Sequence, residues 1–233
     1  MCTVSIVSFD NGVRLLCNRD ERRSRPRAVA PEARCVNGRR AVFPVDPVGG
    51  GSWIGINEAG LAAALLNRTD RHQPRPALAP RQSRGAIVPL VLSTGSPDDA
   101  LYLVRQLDPS DFAPYRLVVL QANDLWIISG GGAAAPDVRH QRLTAPRVLA
   151  SSSLGDDLVE PPRRRLFAEL LLTAVDSLQA QQRFHQHQWP DRTAMSVVMQ
   201  RDDARTVSRT QVDMPAMLMR YEEIDGTDSQ AWS

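Results

Sequence analysis

Residues 3–17 constrain the fold more than any other stretch. Thr3-Val4-Ser5-Ile6-Val7-Ser8-Phe9 alternates apolar and small polar residues, the period-2 pattern of a strand. Asp10-Asn11-Gly12 follows, and Asn-Gly is a strong hairpin signal because both residues tolerate positive φ. Val13 to Cys17 then returns as the second strand. Two registers are open. With Asn11-Gly12 as a two-residue turn, Asp10 pairs with Val13 and Cys2 faces Glu21. With Asp10 in the loop, Phe9 pairs with Val13 and Cys2 faces Asp20. In both, Asn18-Arg19-Asp20-Glu21 returns to the start of the chain, where opposed Cβ atoms sit about 4.5–5.5 Å apart.

A charged cluster beside Cys2 has chemical meaning. Initiator methionine is generally removed before a small residue such as cysteine, which leaves a thiol and a free α-amine on one residue. The amine titrates near pKa ~7.7–8.0, suited to general-base work at neutral pH. The thiol, near ~8.5 unperturbed, needs modest help to become a thiolate. An N-terminal cysteine can thus hold nucleophile and base together. On a bare Met-Cys start, Cys2 would read as a small apolar residue opening a strand; the returning charged tetrapeptide favours the chemical reading.

Met1-Cys2-Thr3, Asn18-Arg19-Asp20-Glu21, Ser24-Arg25-Pro26 and Gly50-Gly51-Ser52-Trp53-Ile54-Gly55-Ile56-Asn57 resemble the NRDE-domain family. This is also called the transport and Golgi organisation protein two family. Later stretches that resemble it are Leu66-Asn67-Arg68, Arg84-Gly85, Ala150 to Leu154 and Arg205 to Thr210. The resemblance implies an α+β fold, a four-layer αββα sandwich of two antiparallel sheets. It is the fold of N-terminal-nucleophile hydrolases of the choloylglycine hydrolase and penicillin acylase branch. Those enzymes also begin Met-Cys and carry an Arg and an Asp at the end of the second strand. The resemblance further implies that Asn67 serves as an oxyanion donor. The family shows Ser-Asn where this chain reads Ser151-Ser152. Ser152 still donates a hydrogen bond, with a shorter reach.

The chain has 233 residues, enough for one substantial core. A single domain is expected over 1–225, with a flexible tail over 226–233. No apolar run approaches the ~18–20 residues of a membrane span, and no signal peptide opens the chain. The expected address is the cytoplasm, in keeping with three cysteines and no even disulfide framework. The net charge of +2 makes no case for nucleic acid. All 28 basic residues are arginine, which excludes lysine Schiff-base chemistry.

Residues 22–40, rich in Arg and Pro, read as a loop over the site. Ala41 to Val45 reads as a short strand. Ser52–Ile56 and Leu61–Leu66 read as a second hairpin turning at Asn57-Glu58-Ala59-Gly60 and ending at Asn67. A helix is expected from Ser96 as N-cap, with Pro97 at its first position and Ala100, Leu103, Val104 and Leu107 as its apolar stripe. Strands are expected over 116–121 and 125–129. Pro161 to Arg165 reads as the opening of a long helix reaching Arg183, its three arginines solvated. His185 and His187 read as surface residues, since His-x-His lacks further metal ligands here. Thr193–Gln200, Arg205–Val212 and Ala216–Tyr221 read as antiparallel strands.

Together these features point to an N-terminal-cysteine hydrolase acting on a non-peptide amide or a thioester, a small-molecule substrate. Cys2 is the expected nucleophile, Arg19 and Asp20 hold it, and Asn67 polarises the oxyanion. Glu21 is the alternative carboxylate to Asp20. Asn18, Glu21, Trp53 and Ser152 are expected to contact substrate. No metal or cofactor is needed for hydrolysis. The alternative is a non-catalytic carrier in which an Arg-lined pocket holds non-covalent haem or acyl-coenzyme A. That reading comes from trafficking roles linked to the family. A trafficking scaffold is a third reading, without an amphipathic basic helix or lipidation signal to support it.

Overall fold

The computed structural model describes residues 2–10, 12–71, 81–132, 135–224 and, as backbone, 229–232. Thirteen strands follow in chain order: β1 (Cys2–Phe9), β2 (Gly12–Arg22), β3 (Val29–Val36), β4 (Arg39–Val45), β5 (Ile54–Asn57), β6 (Leu61–Asn67), β7 (Tyr115–Gln121), β8 (Asp124–Gly130), β9 (Asp137–Arg142), β10 (Arg147–Ala150), β11 (Ala204–Met214), β12 (Leu218–Glu223) and β13 (Ser229–Trp232). The helices are α1 (Ile87–Leu92), α2 (Pro97–Gln106), α3 (Asp156–Leu172) and α4 (Ser177–Gln186). One sheet runs β10-β1-β2-β11-β12-β13 and the other β3 through β9 in sequence order. Every strand pairing in both is antiparallel.

Three apolar clusters define four layers. Val4, Ile6, Leu15, Ile56, Ala62, Ala64 and Val118 fill the space between the sheets. Ala63, Leu117 and Val119 turn the other way and pack on α1 and α2. Val7 and Val148 pack on Phe167 of α3 and Phe184 of α4. Strand periodicity sends alternate residues to opposite faces, so β1 presents Cys2, Val4 and Ile6 to the second sheet. Thr3 and Ser5 face the α3–α4 layer instead, bonding Arg163 and His185. The architecture is the expected αββα sandwich.

Several elements depart from expectation. Strands β3 and β4 occupy most of the stretch expected as a loop. Asn37 and Gly38 join them with φ of 49° and 82°, the positive pair that a two-residue hairpin turn requires, and Val36 pairs with Arg39. Strand β9, like β3, is a polar edge strand with little apolar pattern to mark it. The expected long helix is two, α3 and α4. Pro161 and Pro162 lie inside α3, and Asp176 caps α4 by accepting from the Leu178 and Gln179 backbone N–H groups. Residues 193–200 form a short 3-10 turn and one isolated bridge rather than a strand. Residues 229–232 form β13, paired with β12. The Ser96 cap and Pro97 start of α2 stand as expected. Among the described residues no helix is long and apolar enough to cross a membrane.

Candidate active site

The first hairpin closes in neither expected register, shifted by two residues from the first and by one from the second. Phe9 pairs with Gly12, so Cys2 lies opposite Arg19 and Thr3 opposite Asn18. Gly12 is drawn into the strand by β11, which passes so close that a Cβ there would sit 1.8 Å from the Met214 carbonyl oxygen. Asn11 lies outside the described residues. The tighter register settles which residues share the face of Cys2. Cys17 and Arg19 lie on it, and Asn18 and Asp20 on the other.

Cys2 is buried at the end of β1 and lines a cavity of about 600 Å³ together with Asp20, Trp53, Asn67 and Arg84. Its backbone nitrogen donates to Ser151 Oγ at 3.0 Å, and its carbonyl accepts from the Ser151 N–H at 2.9 Å. Cys17 is the diagonal neighbour of Cys2 across the β1–β2 ladder. A hydrogen bond from the Cys17 thiol pulls the Cys2 pKa below its ordinary value, against the effect of burial. The same bond and burial push the Cys17 thiol well above its own. The Cys17 thiol also donates to the Asn18 carbonyl at 3.6 Å. Both cysteines are free thiols.

Arg19 stacks over Trp53, its guanidinium carbon 4.3 Å from the ring centroid. One of its nitrogens reaches Glu21 at 3.2 Å and Asp46 at 3.3 Å. Asp46 also takes Arg25 at 2.6 Å. Arg19 therefore braces the wall of the cavity, and Glu21 belongs to that brace.

Asp20 is buried on the far face of β2 and still reaches the cavity at the strand end. A bulge at Val207 shifts the β2–β11 register between Thr206 and Ser208, and such bulges re-aim side chains. Thr206 Oγ1 donates to Asp20 at 2.6 Å and accepts from the Met199 N–H at 2.7 Å. Burial raises the Asp20 pKa, opposed by the Arg163 charge and the Thr206 bond. Arg163 is 1% exposed, contrary to the expectation of a solvated arginine. Its guanidinium bonds Thr3 Oγ1 and the Met195 and Ser196 carbonyls.

Two expected substrate contacts turn out to be internal. Asn18 faces α4, donating to the His185 and Val197 carbonyls at 2.9 and 3.1 Å. The strand alternation that places Cys17 and Arg19 beside Cys2 turns Asn18 away. Its Oδ1 lies 3.0 Å from His185 Nδ1, and Ser5 Oγ lies 2.7 Å from His185 Nε2. Since Asn18 Oδ1 can only accept, the His185 proton sits on Nδ1. His185 is therefore a buried neutral structural group rather than a surface residue. Ser152, also buried, does not line the cavity. Its N–H donates to Asp156 at 3.0 Å and its hydroxyl accepts from the Leu154 N–H at 3.2 Å. It shapes the loop that holds Ser151.

Ser151, Cys17, Arg163 and Arg84 were not among the residues expected to act. Ser151 differs from Ser152 only in which way a tertiary loop points it. Arg84 stands on a 3-10 turn whose backbone packs on Gly51 so tightly that a Cβ on Gly51 would lie 2.2 Å from the Gly85 carbonyl carbon. Burial disfavours the Arg84 charge, and the charges of Cys2 and Glu21 oppose that. Asn67, at the end of β6, has no side-chain hydrogen bond among the described residues and lines the cavity. Among the described residues no cluster of three or more His, Cys, Asp and Glu could hold a metal ion.

Two facing antiparallel sheets between helical layers, with a cysteine at the open end of the first strand, define the N-terminal-nucleophile hydrolase sandwich. Penicillin V acylase from Agrobacterium tumefaciens shares this fold, with a TM-score of 0.59 at 15% identity over 99% of this chain and 85% of that one. The C2A mutant of conjugated bile acid hydrolase from Clostridium perfringens gives 0.62 at 11% identity, over 100% of this chain and 92% of that one. The Caenorhabditis elegans orthologue of N-acylethanolamine-hydrolyzing acid amidase gives 0.59 at 13% identity, over 91% and 92% of the two chains. The chain belongs to the transport and Golgi organisation 2 family, whose sequence model matches residues 1–215. No curated protein matches the sequence.

Proposed function

We propose that this protein is an N-terminal-cysteine hydrolase of a non-peptide amide or a thioester. The observation that carries the reading is Cys2 itself, a thiol favoured as thiolate by Cys17, at the wall of a cavity that it shares with Asp20 and Asn67. Removal of Met1 would turn the Cys2 nitrogen, already held by Ser151 Oγ, into the α-amine. The thiolate attacks the acyl carbon, a C–S bond forms, and the carbonyl oxygen takes the negative charge. Asn67 donates to that oxyanion. The amine, carrying the thiol proton, gives it to the leaving amine or thiol as the C–N or C–S bond breaks. Water, its proton taken by the same amine, then releases the acid and restores the thiol. Asp20 orients the amine, and the Arg163 charge favours its ionised form against the effect of burial. The names of the structural neighbours, an acylase, a bile acid hydrolase and an acylethanolamine amidase, support acyl chemistry. The bile acid hydrolase, described as a C2A mutant, has its own cysteine at the second position.

The lining favours this over a haem carrier. Among the described residues, Trp53 and Leu65 are the large apolar residues on the cavity wall. A porphyrin needs broad apolar walls.

Intact-mass analysis during turnover of a fluorogenic amide and thioester panel tests the proposal. The expected result is a mature chain lacking Met1, a transient mass increase equal to the acyl group, and no adduct in Cys2→Ala. Turnover that survives in Cys2→Ala, or in chains that keep Met1, would overturn the mechanism.

A further inference from the structure

Among the described residues, one guanidinium on the cavity wall makes no ion pair with a carboxylate. Arg19 and Arg25 are neutralised by Glu21 and Asp46, and Arg22 is solvent-exposed. Arg84 is partly buried and, among the described residues, has no carboxylate within ion-pair distance. One guanidinium nitrogen donates to the Pro114 carbonyl at 2.9 Å, and none of the others is a buried nitrogen left without a partner. The residue cannot easily swing away. The Ser52 N–H donates to the Gly85 carbonyl at 2.9 Å, and Ser83 Oγ caps the turn by accepting from the Gly85 N–H. The remaining N–H groups of Arg84 are open to the cavity, where an anionic group of a ligand would accept from them. Its two-pronged geometry suits carboxylate and phosphate oxygens.

From this we infer that Arg84 is the anion-recognition residue of the cavity, and that the ligand carries a carboxylate or phosphate besides the carbonyl near Cys2. The inference deepens the hydrolase reading and rests on it for the identity of the second group. Arg19 is less suited to the role, because it already has two acidic partners.

Three amides matched in acyl chain test it: N-octanoylglycine, N-octanoylphosphoethanolamine and neutral N-octanoylethanolamine. Their binding to the full-length Cys2→Ala protein is measured by titration calorimetry, so hydrolysis plays no part. At least one anionic amide is expected to bind about 10- to 100-fold more tightly than the neutral one, the worth of a charge-assisted hydrogen bond. The carboxylate and phosphate arms identify which anion the site takes. Adding Arg84→Gln should bring the ratio of affinities to about one. Arg84→Lys, which keeps the charge without the fork, should reduce the ratio, and it serves as the second variant if Gln fails to fold. Equal affinity for all three amides, no binding of any, or a ratio undiminished in both variants would overturn the inference. Turnover of the same amides by wild type is scored separately. A preserved anion preference without turnover sinks the hydrolase reading and leaves Arg84 standing.

Discussion

Cys2 and Cys17 sit two positions apart across one strand pair, and their coupling is directly testable. Cys17→Ala removes the side chain that lowers the Cys2 pKa, so that pKa should rise and native-state alkylation by iodoacetamide at pH 7 should slow. Cys17→Ser keeps a donor and should shift the midpoint of the alkylation pH profile less. A profile that does not move in Cys17→Ala would remove Cys17 from the mechanism. His185 gives a second residue-level test, this time of stability. Its folded pKa lies well below the ordinary value, first because of burial and then because of the Arg209 and Arg163 charges. A depressed histidine pKa means that the unfolded chain binds the proton first. The neutral-histidine stabilisation is full above the unfolded pKa near ~6.5. It falls as pH drops from there towards the folded pKa, by up to about 1.4 kcal/mol per unit. Urea unfolding at pH 7.5 and 5.5 should show this slope in wild type and a shallower one in His185→Gln. Equal slopes would argue against His185 as the titrating group.

At the scale of elements, α3 does more than cover the first sheet. It places Arg163 against Thr3 on β1 and beside the charge of buried Asp20 on β2, linking helix layer to site. Arg163→Met should cost about 3–5 kcal/mol in urea unfolding, since it removes buried hydrogen bonds to Thr3, Met195 and Ser196 together with one of the positive charges acting on buried Asp20. A loss below about 1 kcal/mol would show that Asp20 is compensated elsewhere. The loop after β10 is braced in the same way. Arg116 bonds the Ala150 carbonyl and Glu160, at 2.7 Å for the latter, and Glu160 accepts from the Ala150 N–H. That brace fixes Ser151 against Cys2. Sequence patterns found the elements with a buried apolar face, β1, β2, β4 to β8, β11, β12 and α2. They passed over β3 and β9, whose edge positions allow charged residues along the strand. The Asn-Gly signal was informative, but it marks the Asn37-Gly38 turn, while Gly12 of the other pair belongs to a strand.

Across the whole molecule, residues 2–21 on their own determine a good deal. The alternation in β1 and β2 requires a hairpin, and any hairpin there returns Arg19 and Asp20 to Cys2. The Met-Cys start with its charged partners, and the motifs that follow, also carried the resemblance to the family and so the αββα sandwich. These are local facts, set by strand period and by the chemistry of an N-terminal cysteine. The rest was decided by residues far apart in sequence. Close passage of Met214 sets the hairpin register, placing Arg19, rather than a carboxylate, opposite Cys2. Docking of α3 and α4 on the first sheet turns Asn18, His185 and Arg163 from apparent surface or site residues into a buried polar network. The loop after β10 gives the site Ser151 and keeps Ser152 for itself. Contact between Gly51 and Gly85 puts Arg84 on the cavity wall. A side chain's role in such a site depends on which face it takes and which distant partner meets it there. Strand period supplies the alternation, but only the packing of both sheets and their helices says which face looks into the cavity.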